Sequence, residues 1–167
     1  MLKLTYKFAS CAMLMLGAVT ATGAFALQNP SPQSLIQATE KPATIVKDRA
    51  ALEKLLGNSG VSIQWLGWSK ARGALDASWK GKTLYLKGGQ MQKDGSGKLE
   101  MDGYVVSISK DNFVFRGTIT ITNAPDLGRK CEKSANWAFA VTQKRQYWRM
   151  REFEWCDGLT DYIDIYF

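Results

Sequence analysis

The sequence predicts an all-β fold: about eight antiparallel strands in a meander that closes into a small barrel, with one short helix ahead of the first strand. Three observations carry this. From Val61 onward apolar residues recur at every second position, the period of a half-buried strand. Most of these segments are separated by short turns rich in Gly, Asp and Lys, and short turns join antiparallel neighbours. A meander of about eight strands hides its edges by closing on itself.

The elements follow in order. Residues 1–26 have the layout of an export signal: Lys3 and Lys7 at the start, an apolar run centred on 12–19, and Ala24-Phe25-Ala26 as a small–x–small cleavage signature. Residues 27–46 hold Pro30, Pro32 and Pro42 among Ser, Gln and Thr and show no period, so they read as a flexible linker. The barrel domain is 47–167. It opens with a helix over 48–57, capped by Asp48 and ended by Gly57, whose stripe of Leu52, Leu55 and Leu56 needs a partner surface.

Val61, Ile63 and Trp65 then alternate with polar residues. Segments 74–79 and 82–87 flank Lys80-Gly81 as a hairpin, and 93–97 forms a second turn. Strands follow over 99–109 and from Phe113 to Thr122, the latter with Phe113, Phe115, Ile119 and Ile121 on one face. Residues 123–136, with Pro125 and Cys131, read as a polar loop. Trp137, Phe139 and Val141 open another strand, 147–155 returns, and Ile163, Ile165 and Phe167 mark the last.

The formal net charge is +7, falling to +5 when Lys3 and Lys7 leave with the signal. The basic residues are spread along the chain, with Arg129-Lys130-Lys133 the tightest group, which argues against a nucleic-acid track. Cys11 would leave with the signal, and Cys131 and Cys156 remain as an even pair in an oxidising compartment, hence a disulfide. Closing that loop stabilises by roughly 3–4 kcal/mol on the chain-entropy model. No segment after the signal is apolar enough to span a bilayer, so no stable membrane insertion is expected and the location is periplasmic or secreted.

The chain has no histidine. That removes Ser-His-Asp and Cys-His catalysis and the usual zinc sites. Ser107 and Lys110 match Ser-x-x-Lys, but on a strand running into a turn they face apart. Asp94-Gly95-Ser96-Gly97-Lys98 lacks phosphate-loop spacing and reads as a hairpin tip. Glu152 and Glu154 share one strand face, yet a small meander offers no extended cleft for a glycoside. Asp157, Asp161 and Asp164 miss calcium-loop spacing and read as turn and strand-end charge. The expectation is a non-enzymatic protein with no cofactor and no metal.

The strand 147–155 mixes charge into both faces, with Tyr147, Arg149, Arg151, Phe153 and Trp155 on one and Trp148, Met150, Glu152 and Glu154 on the other. An Arg facing a barrel interior is costly unless it meets an acid or an anionic ligand. Outward ion pairs with Asp161 or Asp164 are the alternative. Trp65, Trp68 and Trp79 are available as pocket or patch residues.

The short helix before the first strand, Trp65 and Trp68 on or just after it, the meander and the late disulfide resemble the calycin group of secreted barrels, which includes lipocalins and avidins. The resemblance implies an apolar cavity open at one end. The expected function is therefore binding of a small apolar or anionic amphipathic ligand by Trp65, Tyr85, Tyr104, Phe115, Phe139 and Trp148, with Arg149 or Arg151 at a polar end. The alternative is an envelope interaction protein or inhibitor, a filled barrel that presents the loop 123–136 to a protein or polymer.

Overall fold

The computed structural model describes residues 41–67 and 71–167. The expected export signal, residues 27–40 of the expected linker, and Trp68 lie outside the described residues.

The described chain forms β1 (Ile45–Val46), α1 (Arg49–Leu56), β2 (Val61–Ile63), a 3-10 turn (Gln64–Leu66), β3 (Leu75–Lys80), β4 (Thr83–Met91), β5 (Lys98–Ile108), β6 (Asn112–Thr122), β7 (Lys130–Ala140), β8 (Tyr147–Met150) and β9 (Ile163–Tyr166). Eight strands lie in the order β2-β9-β8-β7-β6-β5-β4-β3, and β1 pairs in parallel with the end of β5. The sheet nearly closes: Val61 and Gly73, just ahead of β3, exchange N–H···O bonds of 2.9 and 2.8 Å. The all-β barrel expected from the period-2 pattern is what the chain forms.

The helix forms for the reasons its sequence supplies. The Asp48 carboxylate accepts the Ala51 N–H at 2.8 Å, satisfying one of the amides a helix start leaves free. Gly57 closes the other end by donating to the Glu53 carbonyl at 2.9 Å. Ala51 and Leu55 are buried against the barrel, while Leu56 stays partly exposed.

Alternation places one set of side chains inside the barrel. Leu84, Leu86, Leu99, Met101, Val105, Ile119, Ile121, Ile163 and Ile165 are all essentially solvent-free. At one level the interior is aromatic. Phe113 stacks on Phe139 with ring centroids 4.9 Å apart, and Trp148 meets Phe113 edge-on at 5.5 Å. Phe167 packs on Trp148 at 4.3 Å. Burying such side chains contributes roughly 1.5–3 kcal/mol each, the main force holding the fold.

Gly103 on β5 faces Gly117 on β6. A Cβ on Gly103 would lie 2.3 Å from the Arg116 carbonyl oxygen and 2.7 Å from the Phe115 ring. Two glycines let adjacent strands approach and let Phe115 fold over the bare backbone.

Three local readings are corrected. Residues 41–46 of the expected linker belong to the barrel: Thr44 Oγ1 donates to the Val105 carbonyl at 2.6 Å, and β1 fills the slot beside β5 that β4 leaves empty. The loop expected over 123–136 is only half as long, because β7 begins at Lys130 and pairs with β6 from there. Lys133 stands at an inward register position opposite Ile119, so the apolar period breaks while the ladder continues. The strand expected over 147–155 stops at Met150. β8 meets β7 in only two register pairs, Phe139↔Met150 and Ala140↔Arg149. Beyond them the Glu152 carboxylate, in place of a strand carbonyl, accepts the Ala138 N–H at 2.9 Å.

Candidate functional site

One seam of the barrel is closed by side chains rather than by a ladder, and it carries the most elaborate polar cluster described. Below β8 the chain leaves the sheet and is tied back to β7 by the Cys131–Cys156 disulfide, as expected. Trp155 packs edge-on to Trp137 at 5.2 Å above it. The two sulfurs and Asp157 lie close together, but the sulfurs are spent on each other.

Two residues before Cys131 stands Arg129, with its side chain only 6% exposed. Its five N–H bonds all find acceptors. Nε donates to Asp157 Oδ2 at 2.7 Å, and Nη2 to Asp157 Oδ1 at 2.8 Å. Nη1 and Nη2 each reach an oxygen of Asp161 at 3.0 Å. Nη1 also donates to the Ala124 carbonyl at 2.7 Å. The Asp161 side chain is fully buried, and its Oδ1 accepts a further bond from the Trp65 indole N–H at 2.8 Å. A buried carboxylate is tolerated only with such compensation. Hydrogen bonding to the guanidinium pulls the Asp157 pKa down to about 2, and the same contacts raise that of Arg129.

The clamp braces the loop 123–129. Asn123 adopts a left-handed backbone, which Asn tolerates better than most residues. Its side chain donates to the Ser96 carbonyl at 3.0 Å and accepts the Gly128 N–H at 2.8 Å. Its own N–H reaches the Arg129 carbonyl at 2.7 Å, and the Ala124–Pro125 bond is cis. The tip of this tied loop is Leu127, 81% exposed. A lone exposed leucine is ordinary. This one is held at the apex of a loop tied by Asn123, Ala124 and Gly128.

The residues expected to line a cavity divide into separate places. Phe115, Phe139 and Trp148 point inward and belong to the packed core. Trp65 lies on the 3-10 turn and serves the clamp through Asp161. Tyr85 and Tyr104 face each other on the outer side of β4 and β5, 6.2 Å apart. Arg149 also faces outward, where Nε and Nη2 hold the two oxygens of Asp164 at 2.7 Å each. That is the outward ion pair anticipated as the alternative. Arg151 is exposed beyond the end of β8, and Trp79 is 43% exposed. The cluster that sequence reading missed is Arg129 with Asp157 and Asp161. The signal for it was the cystine, which must bring the neighbours of Cys131 and Cys156 together.

Among the described residues, no helix is long and apolar enough to cross a membrane. No solved structure matches the chain. The PM1083 protein of Pasteurella multocida (strain Pm70) is 34% identical over 116 residues, a span covering 68% of this chain and 74% of that protein. The model of the PM1083 family matches residues 43–167, which take in the barrel, the disulfide and the clamp. The chain belongs to the PM1083 family.

Proposed function

We propose that this chain is an exported, non-enzymatic interaction protein that engages an envelope partner protein through the loop 123–129, with Leu127 as the anchor. The observation that carries this is the five-donor Arg129 clamp behind a loop whose apex is an 81% exposed leucine. Ordering a flexible loop on binding is costly, and a loop fixed beforehand keeps more of its contact energy as affinity.

Filling of the aromatic interior favours this reading over a ligand cavity, because Phe113, Phe139 and Trp148 occupy one another's space. Export is supported by the basic, apolar and small-residue pattern of 1–26 and by the disulfide.

The test is site-specific crosslinking in the native host, with a photoreactive side chain at position 127 and, as control, at Gly81 on the 80–82 turn. One discrete adduct at 127 and none at 81 is expected. The same adducts at both positions, or none at 127, would overturn the proposal.

A further inference from the structure

The outer face of β8, β9 and the chain ahead of β3 carries a continuous ribbon of rings and guanidinium groups. It starts at Arg72, stacked over the Tyr166 ring at 3.7 Å. Tyr166 packs on its cross-strand partner Tyr147 at 5.3 Å. Arg149 lies between Tyr147, at 5.3 Å, and Tyr162, at 4.2 Å. Tyr162 meets Phe153 at 5.6 Å, and Arg151 covers Phe153 at 5.8 Å. Arg145 approaches Tyr147 from the side at 5.6 Å.

Charge on this ribbon is unbalanced. Both oxygens of Asp164 are engaged by Arg149 in a two-pronged pair that favours the charged guanidinium. Among the described residues Arg72, Arg145 and Arg151 form no ion pair; Arg72 and Arg145 donate instead to the hydroxyls of Ser59 and Thr142. Three cations without an ion pair therefore sit beside half-buried rings. None of these rings is among the exposed large hydrophobic side chains, which argues against a wedge entering a bilayer.

We propose that this ribbon binds an acidic polysaccharide, with sugar rings lying along the mixed aromatic and guanidinium surface and sugar carboxylates taken by Arg72, Arg145 and Arg151. An arginine fork matches a carboxylate in geometry, and an aromatic face offers a flat apolar platform beside it. The ribbon does not include the loop 123–129, so this inference stands apart from the protein partner proposed above.

The test is affinity electrophoresis of the full chain against polygalacturonate, with dextran, polyglutamate and anionic phosphatidylglycerol vesicles as comparison probes. Binding to polygalacturonate that weakens with added salt, with none to dextran and weaker binding to polyglutamate and vesicles, is expected. The triple variant Arg72→Gln, Arg145→Gln, Arg151→Gln should lose roughly tenfold or more in affinity, as separate stacked cations would. Arg151→Gln alone, at an exposed position, should move in the same direction, and Tyr147→Leu should weaken binding with every charge kept. Leu127→Asp should leave polygalacturonate binding unchanged. Equal binding to polyglutamate or vesicles, no binding to polygalacturonate, or full affinity in both Arg151→Gln and Tyr147→Leu would overturn the proposal.

Discussion

Arg129 and Asp161, 32 positions apart, meet in a two-pronged ion pair with both N···O distances at 3.0 Å. That pair joins the loop after β6 to the chain entering β9, and Trp65 adds the 3-10 turn to the same carboxylate. Three distant stretches of sequence are thereby held by one fully buried acid.

Removing that acid is expected to cost more than any surface change. Asp161→Ala leaves a nearly buried guanidinium short of two acceptors, and breaking such a pair costs about 3–5 kcal/mol. Urea unfolding should show a midpoint lowered accordingly. Arg129→Lys should not restore the loss, since an ammonium cannot reproduce the fork. A midpoint within experimental error of wild type would contradict the clamp.

Asp157 gives a pH dependence of fixed sign. Its folded pKa lies at about 2, below the ordinary 3.8, because the Arg129 guanidinium bonds its charged form. The folded state binds the proton less readily than the unfolded state, so this stabilisation is present above pH 3.8 and is lost as pH falls toward 2. Thermal melts across that window should show wild type losing more than Asp157→Asn, which has no charge there to lose.

Reduction of the disulfide should loosen the seam below β8. The Cys131→Ser, Cys156→Ser variant is expected to lose roughly 3–4 kcal/mol in denaturant titrations. Hydrogen exchange should then accelerate across 151–161, where side chains replace the ladder, before it does in β5 and β6.

Gly117→Ala tests the close approach of β5, β6 and the Phe115 ring. The new Cβ would sit 2.4 Å from the Asp102 carbonyl oxygen and 2.5 Å from the Phe115 ring. Overpacking of this kind costs typically about 1–3 kcal/mol, readable in chemical denaturation. Gly81→Ala, on an exposed turn with nothing within 4 Å of the added carbon, should cost less despite its positive φ.

The strands were legible wherever one face is apolar without interruption. β6 reads cleanly because Phe113, Phe115, Ile119 and Ile121 keep its period, broken only by the glycine its neighbour requires. β7 was shortened in the reading because Lys133 takes an inward register position, opposite Ile119, yet remains exposed beside the Trp137 ring. No strand lies on the other side of β7 there to cover it. The end of β8 was hidden for the same local reason: alternation continues on paper after Met150, but the Glu152 side chain takes over the ladder bond. The disulfide was legible from cysteine count and export signature. The clamp was not, because Arg129 and Asp161 share no local pattern and only the cystine between their neighbourhoods points to their meeting. Arg149 was readable either way, since alternation fixes which residues share a face but not which face turns inward.

Native mass spectrometry of the disulfide-bonded protein, purified from the envelope of its own host, tests the central claim most directly. The wild-type chain should carry a protein subunit that Leu127→Asp lacks, with no small molecule in either. A one-to-one small-molecule adduct, retained in Leu127→Asp, would contradict the account.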